Sequence, residues 1–286
     1  MKLYDELIVR PEKKIHLKKM DPNENFGWDR KDQIETRLAA NARRMLELQY
    51  KIYAENKQSL LIVLQAMDAG GKDGTINKVL YSMNPQGCRS HSFKVPTPQE
   101  ASHDFLWRVH QAAPGHGEVV IFNRSHYESV LVERVHKIVS GKRLEKRYDF
   151  INDFEKMLSE NNTAIVKFYL HISKEEQLKR FGERLEDPFK HWKISENDYK
   201  EREFWDDYME AFEEAINRCS GKKAPWFVIP SNDKDFRNLA VSEILVETME
   251  NMNPALPEPT VDVNLIRKQY YSDEVKEEKE EKKKKK

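Results

Sequence analysis

The sequence predicts an α/β fold in which helices cover both faces of a parallel sheet. Apolar runs of strand length alternate with segments of helical periodicity along most of the 286 residues, and this alternation is typical of consecutive β-α-β units. The apolar run at 59–64 leads directly into a glycine-rich loop with one lysine, and a helical pattern follows. A strand, a glycine loop with lysine and a helix, in this order, are typical of a phosphate-binding P-loop.

The predicted elements follow one another from the N-terminus. Residues 1–28 have no clear period and are interpreted as an extended arm, and 29–56 form a long amphipathic helix. The sheet receives five predicted strands, at 59–64, 89–95, 118–122, 163–172 and 226–230. Later helices are predicted at 99–112, 127–139 and 145–160. A capping box at Ser173 and Glu176 begins the next helix, which ends at Pro188, and another runs from Ser195 through Arg202. The last helix follows the strand at 226–230 and ends at about 252.

Three regions are expected from these elements. Residues 1–57 comprise the arm and the long helix, which packs on the core, and 58–253 form the P-loop core with a helical lid at about 184–206. Residues 254–286 are a C-terminal extension that closes in five lysines. Its charged, low-complexity run from Glu274 is predicted to be a solvated, disordered tail.

Composition excludes several classes of protein. Lysine plus arginine and aspartate plus glutamate number 49 each, so the formal net charge is zero. Because nucleic-acid-binding proteins normally carry a basic excess, no nucleic acid is expected as a partner. The two cysteines, Cys88 and Cys219, are too few for a disulfide framework and suit a reducing compartment. With neither a signal-peptide pattern nor an apolar run of ~20 residues, we expect a cytoplasmic protein without membrane contact.

The candidate P-loop departs from the usual spacing at two positions. Ala66 stands where the pattern G-x-x-x-x-G-K-[ST] has glycine, and Asp73 stands where it has the hydroxyl that binds Mg²⁺. The carboxylates of Asp68 and Asp73 could replace that hydroxyl as oxygen ligands, while Lys72 supplies a point charge to a bound anion. The alternative is a glycine turn with a solvated Lys72. The loop positions expected around the phosphate are Ala69, Gly70, Gly71, Asp73 and Gly74.

Polar side chains follow the predicted strand at 118–122. In an open parallel sheet, ligands collect at the carboxyl ends of the strands, so this segment is expected beside the P-loop. Arg124 is predicted to neutralise charge on a transferring phosphoryl group, and Asn123 and Glu128 to hold metal-bound water or contact the acceptor. The alternative is that these residues only cap a helix that begins at Tyr127. The segment reads Asn123-Arg124-Ser125-His126-Tyr127-Glu128.

The basic stretch at 180–202 is predicted to be a mobile lid that closes over phosphates. Arg180 and Arg184 are four residues apart and share one helix face, and Pro188 ends that helix. A solvated charged face is the alternative. The basic residues expected on the phosphate path are Arg184, Lys190, Lys193 and Arg202, with Arg180 in support. The aromatic residues expected in the core or at an oligomer interface are Trp205, Tyr208 and Phe212.

Together these three motifs resemble those of the polyphosphate kinase 2 family, the polyphosphate:nucleotide phosphotransferases. The resemblance runs from about Trp28 to Met252, with 68–74 similar to the family's Walker A variant, 123–128 to its Walker B region and 184–198 to its lid. It implies a three-layer α/β/α sandwich similar to thymidylate kinase, Mg²⁺ as the cofactor with Mn²⁺ as a substitute, and homodimers or homotetramers. The residues expected to be catalytic are Lys72, Arg124 and Asp68, of which Asp68 holds the metal. The residues expected to contact the acceptor are Asn123, Tyr127 and Glu128.

The activity implied by this resemblance is phosphoryl transfer from inorganic polyphosphate to a nucleotide. Many family members carry Asp where this chain has Asn123, and Asn with Glu128 resembles the subgroup that phosphorylates both nucleoside mono- and diphosphates. We therefore expect reversible transfer to AMP and ADP, forming ADP and ATP, with GMP and GDP as further acceptors. The alternatives are an ATP-dependent nucleoside monophosphate kinase and a nucleotide-dependent switch, although 231–235 lacks the Asn-Lys-x-Asp element of GTP-binding switches.

Overall fold

A six-stranded sheet forms the centre of the computed structural model, which describes residues 2–271. The strands are Ile8–Val9 (β1), Ser59–Ala66 (β2), Cys88–Ser92 (β3), Val119–Asn123 (β4), Thr163–His171 (β5) and Trp226–Pro230 (β6). Their order is β1-β6-β5-β2-β4-β3, and all pairings among β2 to β6 are parallel. The pairing of β2 with β4 brings Leu64 opposite Asn123, so the loops that follow both strands lie at the same edge of the sheet.

Helices pack on both faces of this sheet. They are Leu3–Leu7 (α1), Lys31–Glu55 (α2), Lys72–Val79 (α3), Pro98–Ala101 (α4), Trp107–Ala112 (α5), Val132–Val135 (α6), Gly141–Glu160 (α7), Lys174–Glu186 (α8), Glu196–Glu201 (α9), Trp205–Cys219 (α10) and Lys234–Asn251 (α11). Along β2, Leu61 and Val63 join the apolar core with residues of α7 and α10, whereas Leu60 and Ile62 join the core with residues of α2 and α11. This alternation follows from the two-residue period of a strand. The predicted three-layer α/β/α sandwich is confirmed.

The N-terminal arm corrects the prediction of an extended segment and adds one antiparallel strand to the predicted parallel sheet. It forms α1 and β1, with Leu3 and Leu7 buried, and β1 pairs antiparallel with β6 through Ile8 and Phe227. Elements of two and five residues are too short for a hydrophobic period to appear in the sequence. The sheet is therefore parallel except for this short strand at one edge.

Two predicted helices are broken. The segment predicted as one helix at 99–112 forms α4 and α5, and Asp104 Oδ1 accepts a hydrogen bond from the Leu106 N–H between them. The segment at 127–139 forms a 3₁₀ turn, His126–Ser129, followed by the four-residue α6. Single-residue side-chain caps of this kind compete with the helical backbone pattern, and periodicity alone does not reveal them.

The chain divides into two compact units, Met1–Pro254 and Ala255–Lys286. In the second unit, Val263–Tyr270 (α12) is capped by Asp262, whose side chain accepts from the N–H groups of Asn264 and Leu265. The charged tail predicted from Glu274 lies outside the described residues. Among residues 2–271, no helix is both long enough and apolar enough to cross a membrane.

Candidate active site

The phosphate loop, residues 68–74, follows β2 at the carboxyl edge of the sheet and includes the first three residues of α3. Gly71 has a φ of +105°, a conformation that glycine adopts without a steric penalty. A Cβ at Gly70 would lie 2.4 Å from the Cβ of Ala66, so this position also requires glycine. The Lys72 ammonium donates to the Ala66 carbonyl at 2.9 Å, and its side chain therefore lies along the loop. The geometry is that of a P-loop.

Asp68 and Arg124 meet because β2 and β4 are neighbours in the sheet. The Arg124 Nη2 donates to Asp68 Oδ1 at 2.9 Å. Arg124 has a φ of +62°, which is uncommon for a non-glycine residue, and its N–H donates to the Leu64 carbonyl at 3.1 Å. Burial, together with the positive charge of Arg124, lowers the pKa of Lys72. Two cationic side chains thus converge on the mouth of the loop, as predicted.

Asp73 links the phosphate loop to both β4 and the lid. Its Oδ1 accepts from the Asn123 amide at 2.9 Å, and its Oδ2 accepts from the Lys193 ammonium at 3.1 Å. Although burial opposes the shift, these hydrogen bonds from Lys193 and Asn123 lower the pKa of Asp73. The predicted acceptor residue Asn123 and the predicted lid residue Lys193 are therefore brought together on one carboxylate.

The lid forms near its predicted position but is more divided than expected. α8 ends at Glu186, a 3₁₀ segment runs over Pro188–Lys193, and Ser195 caps the short helix α9. A second 3₁₀ turn at Arg202–Phe204 separates α9 from α10, so the helix predicted from Ser195 ends one residue before Arg202, which lies in the turn. Arg184 Nη1 donates to Asp198 at 3.0 Å and so ties α8 to α9.

The predicted lid arginines all donate to protein carbonyls, Arg184 to that of Lys193 at 3.3 Å. Arg180, which is 5% exposed, donates to the carbonyl oxygens of Ala69 and Asn232, both at 3.0 Å. It therefore supports the phosphate loop from below. Arg202 donates to the Lys174 carbonyl at 2.6 Å and does not line the cleft above the loop.

Two cavities meet at the Asp68–Arg124 pair. The basic cleft, of about 740 Å³, lies over the phosphate loop, and its cationic side chains are Lys72, Lys94, Arg124, Arg180, Arg184, Lys190, Lys193 and Lys234. The aromatic cavity, of about 210 Å³, lies on the other side of Arg124, and its apolar lining includes Val95, Leu131, Val132, Trp205, Tyr208 and Phe212. Asp68, Val95 and Arg124 line both cavities.

The aromatic cavity also changes the interpretation of two of the three aromatic side chains on α10. Phe212 is buried in the core, as predicted, whereas Trp205 and Tyr208 are partly exposed to the cavity. Glu128 lines the same cavity, and burial raises the pKa of its carboxyl group. Trp205 recurs at helical spacing with the other two, so the sequence alone could not separate cavity-lining from core positions.

Tyr127 is the one predicted acceptor residue that faces away from both cavities. Its side chain is fully buried. The Tyr127 hydroxyl donates a hydrogen bond to Glu155 at 2.8 Å and accepts one from Lys167 at 3.0 Å. Lys167 and Glu155 also form a buried ion pair with each other. This corrects the prediction that Tyr127 contacts the acceptor: it anchors the segment that follows Arg124 to α7 and β5.

Sequence reasoning missed Arg237. This residue of α11 is 3% exposed and lies beneath the phosphate loop, where its Nη1 is 2.0 Å from the position that a Cβ of Gly71 would take. Its neighbours Phe236 and Leu239 are fully buried. An arginine directly after Phe236, in a helix whose next turn is largely apolar, was the available signal, since charged residues are rarely fully buried unless they are paired.

The donor set fits a Mg²⁺ ion that shares its ligands with substrate phosphates. Within residues 2–271, no group of three or more histidine, cysteine, aspartate or glutamate side chains could hold a metal by itself. Asp68 and Glu128 line the same cavity beside the phosphate loop, and Mg²⁺ commonly binds one or two carboxylates plus phosphate oxygens and water. The residues therefore suit a metal that arrives with the substrate.

Comparisons with known proteins agree with this geometry. The family model for polyphosphate kinase 2 matches residues 28–257. An AMP/ADP-polyphosphate phosphotransferase of Meiothermus ruber is 50% identical over 252 residues, covering 88% of this chain and 94% of that protein. An ADP-polyphosphate phosphotransferase of Rhodopseudomonas palustris is 41% identical, covering 86% and 90% of the two chains. The crystal structure of polyphosphate kinase 2 from Arthrobacter aurescens superposes with a TM-score of 0.91 at 41% identity, covering 95% of this chain and 97% of that one. The chain therefore belongs to the polyphosphate kinase 2 family.

Proposed function

We propose that this protein transfers a phosphoryl group from inorganic polyphosphate to AMP and to ADP, forming ADP and ATP. The observation that carries the proposal is the meeting of the basic cleft and the aromatic cavity at Asp68 and Arg124. A linear polyanion suits the cleft lined by cationic side chains, and a nucleoside suits the cavity lined by Trp205 and Tyr208. The names of the relatives from Meiothermus ruber and Rhodopseudomonas palustris support the same substrates.

The chemistry requires positioning and charge neutralisation. The acceptor oxygen is an anionic phosphate oxygen, so no general base has to remove a proton from it. Lys72 binds the donor phosphate at the loop, and Arg124, at the junction of the two cavities, neutralises the charge of the group in transfer. Mg²⁺, held by Asp68 with Glu128 nearby, would polarise the phosphate oxygens when bound.

The test is an assay without ATP. Purified protein is incubated with AMP or ADP, Mg²⁺ and polyphosphate, and the products are separated by chromatography; ADP and ATP are expected. Parallel reactions with GMP and GDP, and the reverse reaction from ATP, measure the acceptor range and reversibility. Phosphorylation of AMP by ATP, with no reaction from polyphosphate, would instead establish the alternative, an ATP-dependent nucleoside monophosphate kinase.

Neutralising the lid should weaken polyphosphate binding more than nucleotide binding. Arg184 and Lys193 line the basic cleft and not the aromatic cavity, so Arg184→Met and Lys193→Met should each raise the KM for polyphosphate about tenfold and leave the KM for AMP within about twofold. The difference should shrink at high salt, because screening weakens both charges. Lys200→Met, an exposed lid position outside the cleft, is the control. Equal effects on both substrates would indicate a role in lid closure instead.

Asn123 is predicted to govern the choice between AMP and ADP. Asn123→Asp removes the hydrogen bond to Asp73, places a second carboxylate beside it and adds negative charge near polyanionic substrates. A monophosphate must reach further towards the donor than a diphosphate, so kcat/KM for AMP should fall more than kcat/KM for ADP. Asn152→Asp, exposed on α7 and outside both cavities, adds the same charge away from the site. If both activities fall in parallel, Asn123 is a general support residue.

We also propose that the protein assembles as a homodimer or homotetramer through an exposed face of α2. Leu46, Tyr50 and Tyr53 are 43%, 56% and 45% exposed, and their spacing puts them on one helix face. Contiguous exposed apolar side chains commonly mark interfaces. Tyr50→Glu with Tyr53→Glu should lower the molar mass measured by light scattering, whereas Phe150→Glu, an exposed position on α7, should not. An unchanged mass in the double variant, or a monomeric wild type, contradicts this assignment.

A further inference from the structure

Arg237 is a buried guanidinium whose hydrogen bonds go to an amide oxygen and not to a carboxylate among the described residues. Its Nε and Nη2 both donate to Oδ1 of the adjacent Asn238, at 3.3 and 2.9 Å. Among residues 2–271, no carboxylate lies within ion-pair distance of it. Burying a charge without a counterion is costly in free energy. Some feature of the working protein must therefore offset the cost of keeping this arginine at 3% exposure.

The guanidinium lies directly against the phosphate loop. Its Nη1 occupies the space that a Cβ of Gly71 would fill, at 2.0 Å, and its Nη2 is 3.2 Å from the position of a Cβ at Gly74. The absence of side chains at these two positions is what lets the charge approach the loop backbone. Arg237 therefore gives Gly71 a second reason to be glycine, besides its positive φ.

The surroundings of Arg237 increase the local positive charge. Arg180, the other buried arginine beneath the loop, donates to the Ala69 carbonyl. Burial, together with repulsion from Arg180 and against the attraction of Asp235 and Asp233, lowers the pKa of Arg237 to about 10, so its guanidinium remains charged near neutral pH. Arg180 lines the basic cleft and forms an ion pair with Glu176 at 2.9 Å, whereas the charge of Arg237 lies against the loop without an ion pair among residues 2–271.

From this arrangement we infer that Arg237 is a positioning residue for the donor, and that the phosphate held by the loop is its missing counterion. This inference rests on the proposed function and adds a residue to the binding of the polyphosphate donor. Arg237 acts through the loop backbone, since it does not line the basic cleft. A charge in a low-dielectric surrounding acts on a phosphate more strongly than an exposed lysine does. The charge of Arg237 should therefore stabilise the bound state and destabilise the empty one.

A residue that only packs would stabilise the ligand-free protein, whereas the charge of Arg237 should destabilise it and stabilise the phosphate-bound state. Arg237→Met keeps most of the side-chain volume and removes the charge, whereas Arg237→Lys keeps the charge. Tripolyphosphate is the probe, with its Kd measured by calorimetry and thermal unfolding followed with and without it. In Arg237→Met, the Kd should rise about tenfold, and the Tm of the ligand-free protein should equal or exceed that of wild type. Arg237→Lys should recover most of the affinity. Arg44→Met, which removes an exposed ion pair with Glu250, should leave the Kd unchanged.

Each outcome has a defined meaning. A ligand-free Tm that falls in Arg237→Met while the Kd stays at the wild-type value shows a packing role and overturns the inference. Equal loss of affinity in the Met and Lys variants also overturns it, because geometry and not charge would then be responsible. Should the Met variant fail to fold, Arg237→Gln provides the neutral comparison. A wild-type protein that does not bind tripolyphosphate contradicts the proposed function itself, which is a distinguishable result.

Discussion

Replacing Lys72 by methionine should lower kcat/KM for polyphosphate and AMP by about 10²–10³-fold, as expected for loss of one preorganised charge at a transferring group. The Lys72 ammonium lies beside the loop and donates to the Ala66 carbonyl, so it is already held where a phosphate would bind. Burial lowers its pKa, which means that the surroundings do not stabilise the charge in the ligand-free protein. The variant should therefore keep its fold and its Tm while turnover collapses.

The control for this prediction is Lys78→Met. Lys78 is exposed in the last turn of the same helix, α3, and does not line the basic cleft. Its variant should retain wild-type kinetics. Steady-state rates with AMP as acceptor, together with thermal unfolding of each protein, separate loss of chemistry from loss of fold. Near-normal turnover of Lys72→Met would contradict the assignment of residues 68–74 as a phosphate-binding loop, even if α3 folds as described.

The ion pair of Asp68 and Arg124 should behave as one catalytic unit. Arg124→Ala removes the charge at the junction of the two cavities and should lower kcat by about 10²–10³-fold. Asp68→Ala should have an effect of similar size, because it removes the carboxylate proposed to hold Mg²⁺ and releases Arg124 from its hydrogen bond at 2.9 Å. The double variant should lose little more than the worse single variant, since groups that act together are not additive.

A double-mutant cycle measures this coupling. The rates of the wild type, both single variants and the double variant are compared under saturating AMP and polyphosphate with Mg²⁺. Arg143→Ala, an exposed arginine on α7, is the matched control and should have wild-type kinetics. If the two losses add in full, the residues act independently, and the proposed junction of donor and acceptor at Asp68 and Arg124 is wrong.

Much of the fold could be predicted from local sequence signals. β6 lies at Trp226–Pro230, as expected from its apolar run, and α2 at Lys31–Glu55 is close to the predicted helix at 29–56. Buried parallel strands give continuous apolar runs, and a long helix on the core gives a clear period. The antiparallel β1 escaped prediction because its two residues are stabilised by pairing with β6, a contact between distant parts of the sequence.

The position of the candidate site could be predicted from the sequence, but the role of each of its residues could not. Asn123 and Arg124 were predicted to lie beside the phosphate loop, and the parallel pairing of β2 with β4 places them there. The direction of each side chain was not predictable, because the residues after β4 follow an irregular turn and not a helical or strand period. Tyr127 therefore points into the core, whereas Glu128, the next residue, lines the aromatic cavity.

The sequence by itself determined the α/β fold class, the phosphate loop at 68–74 and the family, because these depend on residues that are adjacent in the chain. Only the tertiary structure decided what each cation in the cleft contacts: Lys193 reaches Asp73, whereas Arg180 donates to the Ala69 carbonyl. It also brought Arg237 beneath the loop. The physical reason is that the environment of a charge depends on burial and on partners from other elements, and neither is encoded in the spacing of a linear motif.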